Sequence, residues 1–321
     1  MKKALLSFTL MGVITIALIA SCSKNYNSKG TGTQSLNQLF AGLRTTPENL
    51  SVTAGRDTIV YGAQGTMLHF YTNSFKDGSG NIITSGTIYL SLIEMYKPGD
   101  MIANRAPTTT STGQLLKSGG EINITATVNG QTIYANKYGI GFKQPAASTD
   151  TMYVYYGGAS SPDSVTTWTQ SDQSQNGAAA NHTDTSHIYP SYIFDTCVYF
   201  TYVNCDRLYN SNGQNTTVSI VVPDASFDKS NTQLFLIFPT INCITASDSR
   251  EGYTASTNTF IFGNHENEVP VGVQYELVVI TYKTTGYYCY IQSGITTSGM
   301  TINAAMAPDT QQDIKDRLAG L

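Results

Sequence analysis

Charge is what this 321-residue chain has least of: Lys, Arg, Asp and Glu make up 12% of it, about half the roughly 25% usual for a soluble domain. With 18 basic residues and a net charge of -4, it lacks the clustered Lys and Arg that phosphate recognition needs, which excludes a basic nucleic-acid binder. Disorder driven by charge excess is excluded too, since 21 Tyr and 12 Phe are available for a core. Histidine is scarce, with four in all, and there is one Trp. No Gly-x-Ser-x-Gly elbow, phosphate loop or dinucleotide fingerprint occurs, so no catalytic or cofactor motif is visible. No cofactor or metal is expected. His182 and His187 read as solvated loop, and His265-Glu266-Asn267-Glu268 lacks the second His of a zinc peptidase helix. Asp77-Gly78-Ser79-Gly80-Asn81 lacks the closing Glu of a calcium loop and reads as a turn.

What the chain does have begins at its start. Met1-Lys2-Lys3 is a positive n-region, and Ala4 to Ala20 is an almost unbroken apolar run, short for a membrane span. It ends in Ile19-Ala20-Ser21-Cys22, which resembles the bacterial lipobox. That resemblance implies that 1–21 is a signal peptide removed on export. It also implies that Cys22 carries several acyl chains, enough to hold the protein on a bilayer. Ser23 stands where an Asp would favour inner-membrane retention, so the implied location is the outer membrane, with the periplasmic or cell-surface face left open.

Residues 22–50 read as a lipid-anchored tether with one short helix. Leu36, Leu39, Phe40 and Leu43 fall at helical spacing, with Ser35 placed to cap, and the helix is expected to dock on the first domain. Residues 51–156 read as strands. Glu121 to Val128 alternates apolar and polar, then Asn129-Gly130 leads into Gln131 to Tyr134, a strong hairpin signal. Residues 157–190 read as a polar linker, with Trp168 packed against one domain. Residues 191–321 read as a second β domain with a hairpin around Lys283-Thr284-Thr285-Gly286 and a C-terminal helix starting at Pro308. There Ile314, Leu318 and Leu321 share a face and Gly320 marks the stop. The fold class is all-β: two β-sandwich-like domains in tandem, with a short N-terminal helix and a C-terminal helix.

The stretch Gly65-Thr66-Met67-Leu68-His69-Phe70, followed by Asn73-Ser74-Phe75 and Gly86-Thr87-Ile88-Tyr89-Leu90, resembles the opening of ZU5-type β-sandwich domains. Leu115 to Glu121 and Val203-Asn204-Cys205-Asp206-Arg207 resemble uncharacterised lipoproteins of Bacteroidetes-type bacteria. The resemblance implies a fold and a location, and no chemistry. Some ZU5-related domains cleave themselves at His-Phe-Ser. Here the third residue is Tyr71, whose phenol on a rigid ring cannot attack its own peptide bond, so no cleavage is expected.

Four cysteines lie beyond Cys22, all in the second domain: Cys197, Cys205, Cys243 and Cys289. The even count allows two disulfides in three connectivities. The alternative is four buried thiols serving as small apolar residues. Glu121 and Glu276, in alternating strands, are expected to face outward, and no carboxylate pair stands out for glycosidase chemistry. Tyr153, Tyr155, Tyr287 and Tyr288 are the candidate binding face, because Tyr joins an apolar ring to a polar tip. The functional reading is a non-catalytic cell-envelope lipoprotein that binds an envelope protein or a surface polymer. The alternative is a carbohydrate-binding accessory protein or a carbohydrate-active enzyme.

Overall fold

In the computed structural model the described residues are 35–143, 150–159, 164–172, 180–182, 191–211, 213–248, 251–263 and 269–321. The signal peptide, Cys22, His187 and the loop 265–268 lie outside them. The fold is all-β, two β-sandwiches in tandem with three α-helices among the described residues. Sheet I runs β1 (Glu48–Thr53), β5 (Thr87–Met95), β6 (Leu116–Val128), β13 (Tyr202–Leu208), β9 (Tyr153–Gly158), β10 (Thr167–Gln170). Beside β6 lies β7 (Gln131–Ala135), which pairs in turn with β4 (Phe75–Lys76). Sheet II runs β11 (Ala180–His182), β12 (Ser191–Cys197), β8 (Tyr138–Lys143), β3 (Met67–Phe70), β2 (Thr58–Tyr61). Sheet III runs β17 (Cys243–Ala246), β16 (Thr232–Phe238), β21 (Gln274–Lys283), β22 (Gly286–Ile295), β24 (Ala307–Asp309). Sheet IV runs β18 (Gly252–Thr254), β19 (Thr259–Phe262), β15 (Val218–Val221), β23 (Thr301–Asn303). A two-stranded ribbon joins β14 (Asn215–Thr216) to β20 (Val269–Pro270).

Side-chain parity stacks these sheets in the order II, I, III, IV. On β5 and β6 the even positions Ile88, Leu90, Leu92, Ile122, Ile124 and Ala126 face sheet II, against Leu68, Phe70, Ile140, Phe142 and Phe194. The opposite face of sheet I presents Met95, Leu116, Tyr155 and Trp168 to Phe235, Ile237, Val278 and Ile280 of sheet III. The alternate residues of the same two strands, Leu234, Leu236, Leu277 and Val279, turn to Ile220, Phe260 and Phe262 of sheet IV. β16 is therefore buried at every position. Its run Thr-Gln-Leu-Phe-Leu-Ile-Phe is what a strand covered on both faces requires.

Hairpin chemistry follows the sequence. Asn129 (φ 49) and Gly130 (φ 77) both take positive φ between β6 and β7, pairing Val128 with Gln131. The tight turn at Thr284-Thr285 pairs Lys283 with Gly286. The helix α1 (Leu36–Leu43) begins at Ser35, whose side chain accepts from the Gln38 N–H, and buries Leu39, Phe40 and Leu43. It docks on the first sandwich as expected, and on the second as well: it enters the core shared by sheets I and III, where Phe40 meets the Phe235 ring edge-on at 6.1 Å. That core also takes Met101 and Ile102 of α2 (Pro98–Ala103) and Ile314 and Leu318 of α3 (Gln311–Ala319).

Three boundaries differ from the sequence reading. The linker 157–190 contains β10 and β11, and Trp168 on β10 is fully buried, donating Nε1–H to the Pro107 carbonyl at 2.7 Å. The second domain does not start at 191, because β12 completes sheet II and β13 lies between β6 and β9 inside sheet I. Both strands carry ordinary β patterns, and only long-range pairing assigns them to the first sandwich. Pro308 does not open the final helix. It pairs with Tyr288 on edge strand β24, where a missing N–H costs nothing, and α3 starts at the cap Thr310, whose side chain accepts from the Asp313 N–H.

Candidate functional site

The four candidate tyrosines do not form one face. Tyr155 is buried in the core between sheets I and III, because its position on β9 has the parity of that covered face. Tyr153 packs beside it, half-buried. Tyr287 and Tyr288 are consecutive on β22, so they point to opposite faces, Tyr287 to the I–III core and Tyr288 to the III–IV core. The disulfides are not formed either: Cys197, Cys205, Cys243 and Cys289 are free, buried thiols. Cys197 and Cys205 sit in the I–II core, Cys289 in the I–III core and Cys243 in the III–IV core. Burial pushes Cys197, Cys243 and Cys289 up to about 12.

Glu121 corrects a further expectation. It does lie on the face of β6 opposite the first core, but that face is covered by sheet III, and Glu121 is 0% exposed. A bulge at Gly119-Gly120 offsets the register, so that Asn204 pairs with Glu121 while Asp206 pairs with Ser118. Gly120 adopts φ +127, and a Cβ there would meet the Tyr96 ring at 2.4 Å. The bulge puts Ser118 and Glu121 on the same side as Asn204 and Asp206. Asn204 Nδ2 donates to Glu121 Oε1 at 3.0 Å and to Asp206 Oδ2 at 2.6 Å, and its Oδ1 accepts from Ser118 at 3.3 Å. Glu121 Oε2 and Asp206 Oδ1 find no hydrogen-bond partner. Burial, and then the Asp206 charge, raises the Glu121 carboxyl well above the usual range. For Asp206 burial outweighs the lowering by Ser118, Asn204 and the Gly119 N–H, so it is raised as well. Asn242 closes the cluster from the sheet III side, donating Nδ2–H to the Ser118 carbonyl at 2.6 Å and accepting the Ser118 N–H at 2.9 Å. No solvent reaches the pair, so it cannot meet a substrate. It is a polar latch between layers.

Two concavities among the described residues bear on the site. The smaller, about 480 Å³, is lined by Tyr153, Tyr155, Gln170, Asp150 and Arg207. Its one lining cation, Arg207, already shares Asp150 with Lys117: Asp150 lies 2.5 Å from Lys117 Nζ and 3.1 Å from Arg207 Nε. The larger, about 920 Å³, is a groove where α1, the segment 105–111, the start of β10 and the ends of sheets III and IV meet. Its lining mixes hydroxyls and amides, such as Ser111, Thr167 and Gln233, with apolar Leu36, Val165 and Phe260, plus two cations (Arg105, Lys229) and two acids (Asp248, Glu251). Arg105 is 4% exposed and takes φ +52, a conformation that costs a non-glycine residue energy and must be imposed by its surroundings. Its guanidinium lies 4.2 Å from the Phe40 ring centroid and donates to Asn37 Oδ1 at 2.8 Å. Tyr253 forms an aromatic wall: its OH donates to Asn258 Oδ1 at 2.9 Å, and its ring packs on Phe260 at 4.9 Å.

Among the described residues no three His, Cys, Asp or Glu side chains are placed to hold a metal ion. No helix among them is long and apolar enough to cross a membrane. His69 bonds Asp57 Oδ1 through Nε2 at 2.8 Å on the exterior of sheet II. The groove residues escaped the sequence reading because they come from six separated segments, none with a motif. Asn204 and Asp206 entered the sequence analysis only within the stretch Val203 to Arg207 that carries the lipoprotein resemblance, and nothing local says that their side is covered. The sequence matches no protein-family model and no curated protein.

Proposed function

We propose that this chain is a non-catalytic binding module of the bacterial cell envelope, anchored to the outer membrane through acylated Cys22. It holds a surface polymer or an envelope protein in the groove between its two sandwiches. The groove is the observation that carries this reading, a concavity of about 920 Å³ that draws on both halves of the chain. The lipobox Ile19-Ala20-Ser21-Cys22 and the resemblance of Leu115 to Glu121 and Val203 to Arg207 to Bacteroidetes-type lipoproteins support the location. Growth with a clickable fatty acid tests the anchor: label is expected on the wild-type chain in the membrane fraction and lost in Cys22→Ala. Unlabelled wild-type chain in the soluble fraction would refute it. Asp248 and Glu251 in the groove favour a second reading, a carbohydrate-active enzyme. Release of reducing ends from a bound glycan, lost in Glu251→Gln, would decide for it.

A further inference from the structure

We infer that the ligand of the groove is a neutral oligosaccharide chain, an inference that rests on the binding-module reading and names the class of molecule held. Charge is the first argument. Arg105 and Lys229 are balanced by Asp248 and Glu251 in the same groove, so it carries no net field to concentrate a polyanion or a polycation. Composition is the second. A lipid tail or an amphipathic helix needs a continuous apolar trough, whereas here apolar Leu36, Val165 and Phe260 alternate with hydroxyls and amides, a mixture that suits the C–H faces and hydroxyl edges of a sugar. The hydroxyls and amides exchange hydrogen bonds with sugar hydroxyls at little desolvation cost.

Main-chain recognition of an extended peptide is blocked on one wall. The free edge of β10 is already used by the segment 105–111: Thr166 N–H donates to the Arg105 carbonyl at 2.7 Å, and Trp168 N–H to the Thr109 carbonyl at 3.1 Å. Tyr253 supplies what a sugar needs beyond hydrogen bonds, a flat ring for the C–H face of a pyranose. That ring is held before binding by Asn258 at its hydroxyl and by the tilted Phe260 ring, while exposed Lys229, whose Nζ lies over the ring 5.8 Å from the centroid, must swing aside for a sugar to stack. A fixed platform loses little entropy on binding. The volume of about 920 Å³ lies near the top of the range of roughly 300–1,000 Å³ for ligand sites, room for several sugar rings.

The test is calorimetric titration of the full chain in detergent with maltohexaose, cellohexaose, laminarihexaose, mannohexaose and chitohexaose, with an oligogalacturonate as charged control. Saturable binding of at least one neutral hexasaccharide is expected. Tyr253→Ala should weaken it by about tenfold, the size of one aromatic stacking contact, and Tyr253→Phe by no more than about threefold. Ser111→Trp, at an exposed rim position, should abolish it. If Tyr253→Ala fails to fold, Ser111→Trp carries the test. The inference is overturned by no saturable heat with any neutral probe, by binding that both variants leave unchanged, or by tighter binding of oligogalacturonate. Failure here with Cys22 acylation intact leaves the envelope-module reading standing. Sugar binding without acylation does the reverse.

Discussion

Glu121 on β6 and Asp206 on β13 face each other across one amide, with Asn204 Nδ2 donating to both, at 3.0 and 2.6 Å. Each carboxylate keeps one oxygen without a partner in a site that water does not reach. Two buried carboxylates that share the Asn204 amide, each with one oxygen unpaired, cannot both ionise cheaply, so the pair makes stability depend on pH.

Both carboxyls are raised in the folded state, by burial first and, for Glu121, by its neighbour next. Their contribution is therefore fully present below the unfolded carboxyl values of about 4 and is lost as pH rises through the folded ones. Asp150 and Asp228, held low by Lys117 and by Ser230 respectively, have the opposite sign: their contribution is lost as pH falls through their folded values. Above about pH 5 they are constant. Asp100, raised by burial, has the sign of the pair and is removed by comparing variants. Calorimetric melting between pH 5 and 8 should show stability falling with pH. Glu121→Gln should make that fall shallower, because it removes the more heavily burdened of the two titrating carboxyls. An identical slope in wild type and variant would sink the account.

Trp168, the sole Trp, lies in the core that sheets I and III share, 0% exposed and edge-on to Tyr202 at 6.3 Å. Its native emission should be blue-shifted. Its unfolding transition should coincide with the loss of β signal in circular dichroism, because the halves share this core. Trp168→Ala should cost about 3–5 kcal/mol. Trp168→Phe should cost about 1–3 kcal/mol, mainly from leaving the Pro107 carbonyl without its donor. Two separated transitions would show instead that the sandwiches unfold independently.

Strand order makes a sharp statement about where the chain can be cut. Ending it after residue 190 removes β12 from sheet II and β13 from the middle of sheet I, exposing the edges of β8, β6 and β9. Such a fragment should aggregate or give no cooperative melt, since unpaired edges and half a core remain. Recovery of a soluble, cooperatively melting fragment 35–190 would contradict the layer order.

Thiol chemistry gives a fourth prediction. With residues 1–22 removed, the native protein should not react with Ellman's reagent within minutes, and four thiols should titrate in denaturant without reductant. The reason is burial, which keeps these groups protonated and away from the reagent. Fewer than four thiols in denaturant would mean that disulfides form.

Local order was legible where a few neighbouring residues decide it. Ser35 and the spacing of Leu36 to Leu43 specify α1, Asn129-Gly130 specifies a turn needing positive φ twice, and alternation in Glu121 to Val128 specifies a strand and its two faces. Each of these is a short-range steric or hydrogen-bond preference, so sequence alone determines it, along with the all-β class. What covers each face was decided only by the tertiary structure. The polar side of β6 became an interior because sheet III lies over it, and that made Glu121 a buried acid. Tyr155 was lost to the same core, and Tyr287 and Tyr288 were divided between opposite faces of their own sheet. Trp168 moved from a linker to the shared core, and Arg105 and Tyr253, 148 positions apart in sequence, became walls of one groove. The physical reason is that strand alternation separates two faces without saying what each will meet. Pairing and stacking between distant segments supply that answer.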